Sequence, residues 1–208
     1  PQGALQPGQS IVQTLVFKQT HGGRDHDHAA LSAALAEAQQ VYCAFVFDTE
    51  ILDALPSRHD RRVHFIRESL LELDAALRKK GGGLIVRHGK AGEEIPALAR
   101  ELGVSAVFSN RDYEPAAKQR DAAVAQALKA DGIEFHTFKD QAIFDGDEVL
   151  TQAGKPFSVF TPYKNAWLKR LTAADCAEWP CTGKLAGGEL ASIPTLADIG
   201  FEPTDLEA

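Results

Sequence analysis

The chain has 208 residues, 44% of them hydrophobic and 25% charged, which suits one globular domain with a sizeable core, or such a domain with a tail. Its formal net charge of −7 argues against a surface that tracks nucleic acid throughout, since that binding rests on Lys and Arg neutralising phosphates. No window approaches the roughly 18 consecutive apolar residues of a membrane span, and the opening PQGALQPGQS lacks the basic and apolar regions of a secretory signal. A soluble, cytoplasmic protein without a membrane partner is therefore expected. Three cysteines, Cys43, Cys176 and Cys181, fit free thiols in a reducing compartment better than a disulfide framework. Methionine is absent even at position 1, so the start reads as processed, trimmed or altered.

In chain order, residues 1–10 read as a flexible N-terminus, and the run from Ile11 to Phe17 carries the first β-rich stretch. Ala29 to Gln40 is an Ala/Leu helix, with Asp27 placed to cap it. VYCAFVF, from Val41 to Phe47, is apolar at both alternating sets of positions, as a strand buried on both faces must be. Ile66, Leu70, Leu73 and Leu77 recur at helical spacing within Asp60 to Lys80, and three glycines from Gly81 end that helix. A strand at Leu84 to Val86, a helix around Glu93 to Leu102 and a strand from Val104 to Asn110 follow. A helix from Pro115 to Ala130 and a strand from Ile133 to Phe138 complete the alternation.

Five strands alternating with four helices predict an α/β fold. It is a doubly wound, Rossmann-like five-stranded parallel sheet over residues 11–138, with helices on both faces and ligands beyond the carboxyl ends of the strands. Residues 139–171 read as a long loop and a junction helix, in which Trp167 and Leu168 pack on a core while Lys164, Lys169 and Arg170 stay wet. Residues 172–208, rich in Gly, Pro, Thr and Ala, have linker composition and are mobile unless something holds them.

Several chemical constellations are weak. His21, Asp25, His26, Asp27 and His28 cluster, yet His26 and His28 are two apart with no second ligand set of known spacing, so no metal is expected. GKAGEE, from Gly89 to Glu94, has a glycine turn before a helix but no phosphate-loop spacing, and Glu93 and Glu94 would repel a phosphate there. Cys176 and Cys181 have no partner pair, and no nucleophile–base pairing can be argued from spacing.

Four blocks in order, FVFDTEIL (Phe45 to Leu52), SNRDYEP (Ser109 to Pro115), FKDQAIFDGDEVLTQAGKP (Phe138 to Pro156) and FTPYKNAWLKRL (Phe160 to Leu171), resemble the N-terminal antenna domain of the DNA photolyase and cryptochrome family. GFEPTDL, from Gly200 to Leu206, is similar to that family's interdomain connector. The stretch Gln19 to Asp25 departs from the family pattern and alters the first loop beyond the sheet.

The resemblance implies a light-harvesting domain of a DNA repair protein, without repair activity in isolation. Its antenna would be a deazaflavin, folate or flavin; FAD and damaged DNA would belong to a helical C-terminal domain outside these residues. It also implies chromophore contacts at Phe45, Asp48, Arg62, Asp112 and Glu114. Four of them have a plainer reading: Phe45 as core, Arg62 as a solvated helix residue, Asp112 and Glu114 as a helix start. The competing readings are an interaction domain of the same descent that binds no chromophore, and a general nucleotide-binding α/β protein.

Overall fold

A computed structural model describes residues 9–13, 26–187 and 191–206, the first group by main chain alone. The strands are β1 (Gln9–Gln13), β2 (Gln40–Asp48), β3 (Leu84–Gly89), β4 (Ala106–Asn110) and β5 (Glu134–Phe138). The helices are α1 (Ala29–Glu37), the short α2 (Thr49–Leu52), α3 (Arg61–Lys79), α4 (Ala91–Leu102), α5 (Pro115–Ala130) and α6 (Phe160–Arg170). Strands pair in the order β3-β2-β1-β4-β5, every pairing parallel. The order reverses between β1 and β4.

Each parallel strand here feeds a helix that must return over a sheet face, so both faces acquire a core. Cys43, Phe45 and Phe47 point from β2 into one cluster with α1 and with Val63, Leu70, Leu73 and Leu77 of α3. The alternate residues Ala44 and Val46 enter a second cluster with Ile95 and Leu98 of α4 and Val124 and Leu128 of α5. That division is why the Val41 to Phe47 run has no polar phase. Gly103 ends α4 at φ 62, a left-handed conformation that costs a glycine little.

Several boundaries differ from the sequence reading. The described part of the first strand is Gln9–Gln13, and residues 14–17 of the expected run lie outside the described residues, as does the divergent 19–25 stretch. Helix α1 stops at Glu37 because Gln40 already opens β2. Its cap is His28 rather than Asp27: the His28 Nδ1 accepts the Leu31 N–H at 3.1 Å, while Asp27 sits at φ 46 and accepts the Trp179 N–H at 3.0 Å.

The segment with linker composition is packed. Leu185, Ile193, Leu196, Ile199 and Phe201 are buried in the α1/α3 cluster. The Ala186 N–H donates to the Val41 carbonyl at 2.8 Å, and Glu202 N–H to the Arg58 carbonyl at 2.9 Å. Arg67 Nε donates to the Pro194 carbonyl, and the Arg58 guanidinium lies 5.1 Å over the Phe201 ring. Isolated apolar residues spaced by Gly, Pro and Thr therefore hold the segment on the α1/α3 cluster, and its described residues form no regular element beyond short 3-10 turns at Ala173–Cys176 and Ala197–Ile199. Helix α6 departs from the sequence reading: Leu168 is 54% exposed, and Trp167 meets Phe144 edge to face at 5.5 Å.

Candidate functional site

At a point where strand order reverses, the loops leaving the two flanking strands diverge and open a crevice beyond their carboxyl ends. Here the reversal falls between β1 and β4; Asn110 ends β4 beside it, and Asp48 ends β2, one strand away on the far side of β1.

Asp48 is 6% exposed. Its Oδ1 accepts the Glu50 N–H at 3.1 Å, which caps α2, and its Oδ2 is buried with no hydrogen-bond partner among the described residues. A buried acceptor left unmatched costs about 1–3 kcal/mol, more for a charged group, so a donor reaching this oxygen would relieve that cost. Its register partner Gly89 lies beneath Glu94: a Cβ on Gly89 would stand 2.5 Å from Glu94 Oε1. The carboxylate of Glu94 thus fills the glycine turn that could otherwise have cradled a phosphate.

The N-terminus of α1 faces the same edge and is already plugged. Ala29 N–H donates to Asp140 Oδ1 at 3.1 Å, Ala30 N–H to Asn110 Oδ1 at 3.0 Å, and Leu31 N–H to His28 Nδ1 at 3.1 Å. Accepting that hydrogen bond requires Nδ1 to be unprotonated. Dinucleotide folds leave these N–H groups to a pyrophosphate. Here side chains consume them, one a carboxylate, so the chemistry of this edge suits a ligand that donates hydrogen bonds rather than an anion.

Beyond Asn110 the SNRDYEP loop turns into α5. Asp112 Oδ1 accepts the Glu114 N–H at 3.1 Å, Glu114 occupies the N-cap position and Pro115 opens the helix, which its fixed φ favours. Tyr113 donates its hydroxyl to Asp145 Oδ2 at 3.1 Å, and burial together with that carboxylate pushes the phenol pKa up. Arg111 N–H holds the Phe138 carbonyl at 2.8 Å.

The five residues singled out in the sequence fare differently. Asp48 lies buried at the crevice, while Asp112 and Glu114 follow β4 across β1 from it; Asp112 also lines a groove with Tyr113, Lys118 and Asp121 on the α5 side. Phe45 is 1% exposed and meets Phe47 edge to face at 5.1 Å, so it contributes core shape rather than ligand surface. Arg62, with a side chain 69% exposed, pairs with Asp60 at 2.6 Å. The Arg62 hydrogen bond in turn holds the Asp60 carboxyl below its usual range. Sequence reasoning missed His28, Asn110 and Asp140 as a unit. Asn110 and Asp140 belong to separate blocks and His28 to none, and the contacts span 80 to 111 residues. Among the described residues no three His, Cys, Asp or Glu side chains are grouped to hold a metal, and no helix is long and apolar enough to cross a membrane.

The sequence profile of the DNA photolyase family matches residues 18–182. The chain belongs to that family. A deoxyribodipyrimidine photo-lyase of Synechococcus is 32% identical over 203 residues, covering 92% of this chain and 41% of the relative. A cryptochrome DASH of Natronomonas pharaonis is 29% identical over 186 residues, 86% of this chain and 39% of the relative. Among solved structures, a class III photolyase from Agrobacterium tumefaciens shares the fold with a TM-score of 0.76 at 24% identity, covering 98% of this chain and 40% of that one. An archaeal photolyase from Sulfolobus tokodaii, solved with two FAD molecules, aligns with a TM-score of 0.72 at 25% identity over 93% and 42% of the two chains. The chain therefore spans about two fifths of the length of these photolyase-family relatives.

Proposed function

We propose that this domain is the light-harvesting part of a photolyase-like DNA repair protein, and that its antenna chromophore sits at the carboxyl edge of the sheet between Asp48 and the SNRDYEP loop. The observation that carries the reading is the buried Oδ2 of Asp48, unmatched among the described residues and one strand from the order reversal between β1 and β4. Asp48, Asp112 and Glu114 would accept hydrogen bonds from ring N–H or side-chain hydroxyl groups, with Arg62 at the rim and Phe45 supporting Asp48 from the core. When bound, the chromophore supplies absorption of blue or near-ultraviolet light and transfer of excitation. The plugged α1 N-terminus disfavours a nucleotide diphosphate there, which favours a deazaflavin or folate over a dinucleotide flavin.

Repair chemistry would reside in reduced FAD on a helical domain outside these residues, so the chain alone is inactive on pyrimidine dimers. Val159, Phe160 and Leu168 of the α6 region and Trp179 are large apolar side chains left exposed, and they offer that domain a docking face.

Incubation of the purified protein with a deazaflavin, a reduced folate or FAD, followed by gel filtration and absorption spectroscopy, tests this. A co-eluting long-wavelength band that Asp48→Asn weakens supports the antenna site. A wild-type spectrum of protein aromatics alone, after all three, supports the interaction-domain reading instead.

A further inference from the structure

Strand β5 is an edge of the sheet, and no strand among the described residues pairs with its outer side. The Glu134 N–H reaches the Ser105 carbonyl at 3.0 Å, and the Phe138 carbonyl accepts the Arg111 N–H at 2.8 Å, so Glu134, His136 and Phe138 direct their main-chain groups toward β4. Alternation then turns the N–H and C=O groups of Phe135 and Thr137 outward. Along that edge lie two adjoining cavities, of about 500 and 630 Å³, which share Ala125 and Phe135. Their wall is α5, where Ala122 and Ala125 leave room for the side chains of an incoming strand.

Charge defines what fits. Lys118 lines the cavity at one end and Lys129 the cavity at the other. Neither has an ion-pair partner among the described residues. The carboxylates lining the cavities are engaged: Asp121 holds Arg120 at 2.8 Å, Asp145 accepts from Tyr113 at 3.1 Å, Asp112 accepts the Glu114 N–H at 3.1 Å, and Glu134, beside Lys129, meets His136 Nε2 at 2.9 Å. Eleven helical residues separate the lysines by about 16 Å. Two side chains four apart on one face of a strand are about 13 Å apart, and flexible lysines close the difference.

We propose that the open edge of β5 takes an extended segment of a partner polypeptide as an added strand, with an acidic side chain at each end of the segment paired to Lys118 and Lys129. Main-chain bonds to Phe135 and Thr137 give the affinity, and the two lysines select the sequence. A second copy of this chain is a poorer occupant. Two-fold pairing of β5 with itself would set the α5 helices antiparallel, with Lys118 of each facing Lys129 of the other.

The probe is a synthetic peptide Thr-Glu-Val-Thr-Val-Glu-Thr, whose glutamates lie four apart on one face, against a control with lysines at those positions. Amide exchange read by NMR is expected to slow at least about tenfold at Phe135 and Thr137 with the acidic peptide and to be unchanged with the basic one. Lys118→Glu with Lys129→Glu, both exposed substitutions, reverses that preference, and Thr137→Pro, which removes only an outward N–H, abolishes binding. Unchanged exchange at both amides under saturating acidic peptide, equal protection by the two peptides, or protection that follows protein concentration alone each overturns the proposal.

Discussion

The Ala30 main-chain N–H donates to the Asn110 side-chain oxygen at 3.0 Å, tying the start of α1 to the end of β4 across 80 residues. Asp140 does the same for Ala29 from beyond β5. Together they close the helix terminus that other doubly wound folds offer to phosphate.

Asn110→Ala and Asp140→Ala should each lower stability by about 1 kcal/mol, the worth of a helix cap, and lower Tm by about 2–4 °C in a chain of this size. Because the two acceptors serve adjacent N–H groups, their effects should not add independently. Thermal melts of the single and double variants check this; a double variant melting with the wild type would remove the capping role.

Packing of Leu185, Ile193, Leu196, Ile199 and Phe201 on the α1/α3 cluster is a second point of vulnerability. A Cβ at Gly187 would stand 2.3 Å from the Gly81 carbonyl oxygen, a main-chain atom that cannot swing aside. Leu185 is buried over Gly82. Leu185→Ala should cost about 2–5 kcal/mol, as large-to-small core changes do, and Gly187→Ala should displace the same strand of chain. Limited proteolysis is the measurement: new cleavage between residues 177 and 195 in both variants is expected, and an unchanged pattern would show that this packing contributes little.

What the sequence made legible follows from how local each signal is. Val41 to Phe47 reads as a doubly buried strand because both sets of alternating positions are apolar, and the ends of α3 and α4 are marked by Gly81 and Gly103 in left-handed turns. The C-terminal segment reads as linker because Ile193, Leu196, Ile199 and Phe201 follow no helical or strand period; each is buried by a separate contact with α3 or its cluster. Asp48 was singled out through family resemblance, and its unmatched oxygen is visible only once β2 and β3 are side by side. The His28, Asn110 and Asp140 plug depends on three chain crossings, which no local pattern encodes.

Burial sets the reactivity of the cysteines. Cys43 lies 2% exposed in β2, and desolvation, with Cys181 nearby as a lesser cause, pushes its thiol pKa up to about 12. Because the thiolate is the reacting form, native protein should be alkylated first at the exposed Cys176, more slowly at Cys181, and at Cys43 only in denaturant. Mass spectrometry after timed iodoacetamide treatment at neutral pH reads the order. Labelling of Cys43 at the rate of Cys176 would mean that β2 opens far more readily than its packing implies.

Acid should release α6 before it unfolds the sheet. Glu148 accepts Lys139 Nζ at 2.9 and 2.8 Å and the Asp145 N–H at 2.7 Å, while the Glu148 carbonyl takes a hydrogen bond from Arg170. Arg170 and Lys139 also lie over the Phe144 ring, at 5.1 and 5.5 Å, so one carboxylate organises the contact that seats Trp167. The Lys139 hydrogen bonds, followed by the Asp145 N–H, hold the Glu148 carboxyl below its ordinary value of 4.5. A folded-state pKa depressed in this way stabilises the docked state above the ordinary value, and the contribution declines below it and vanishes as pH falls through the lowered pKa. Trp167 fluorescence, measured in a Trp179→Phe background, should therefore be flat from pH 8 to about 5 and shift below about 4.5, ahead of the loss of far-ultraviolet circular dichroism. Glu148→Gln should show the shifted signal already at neutral pH and lose the acid step. Persistence of that step in the variant would assign it to another carboxylate, Asp145 being the nearest.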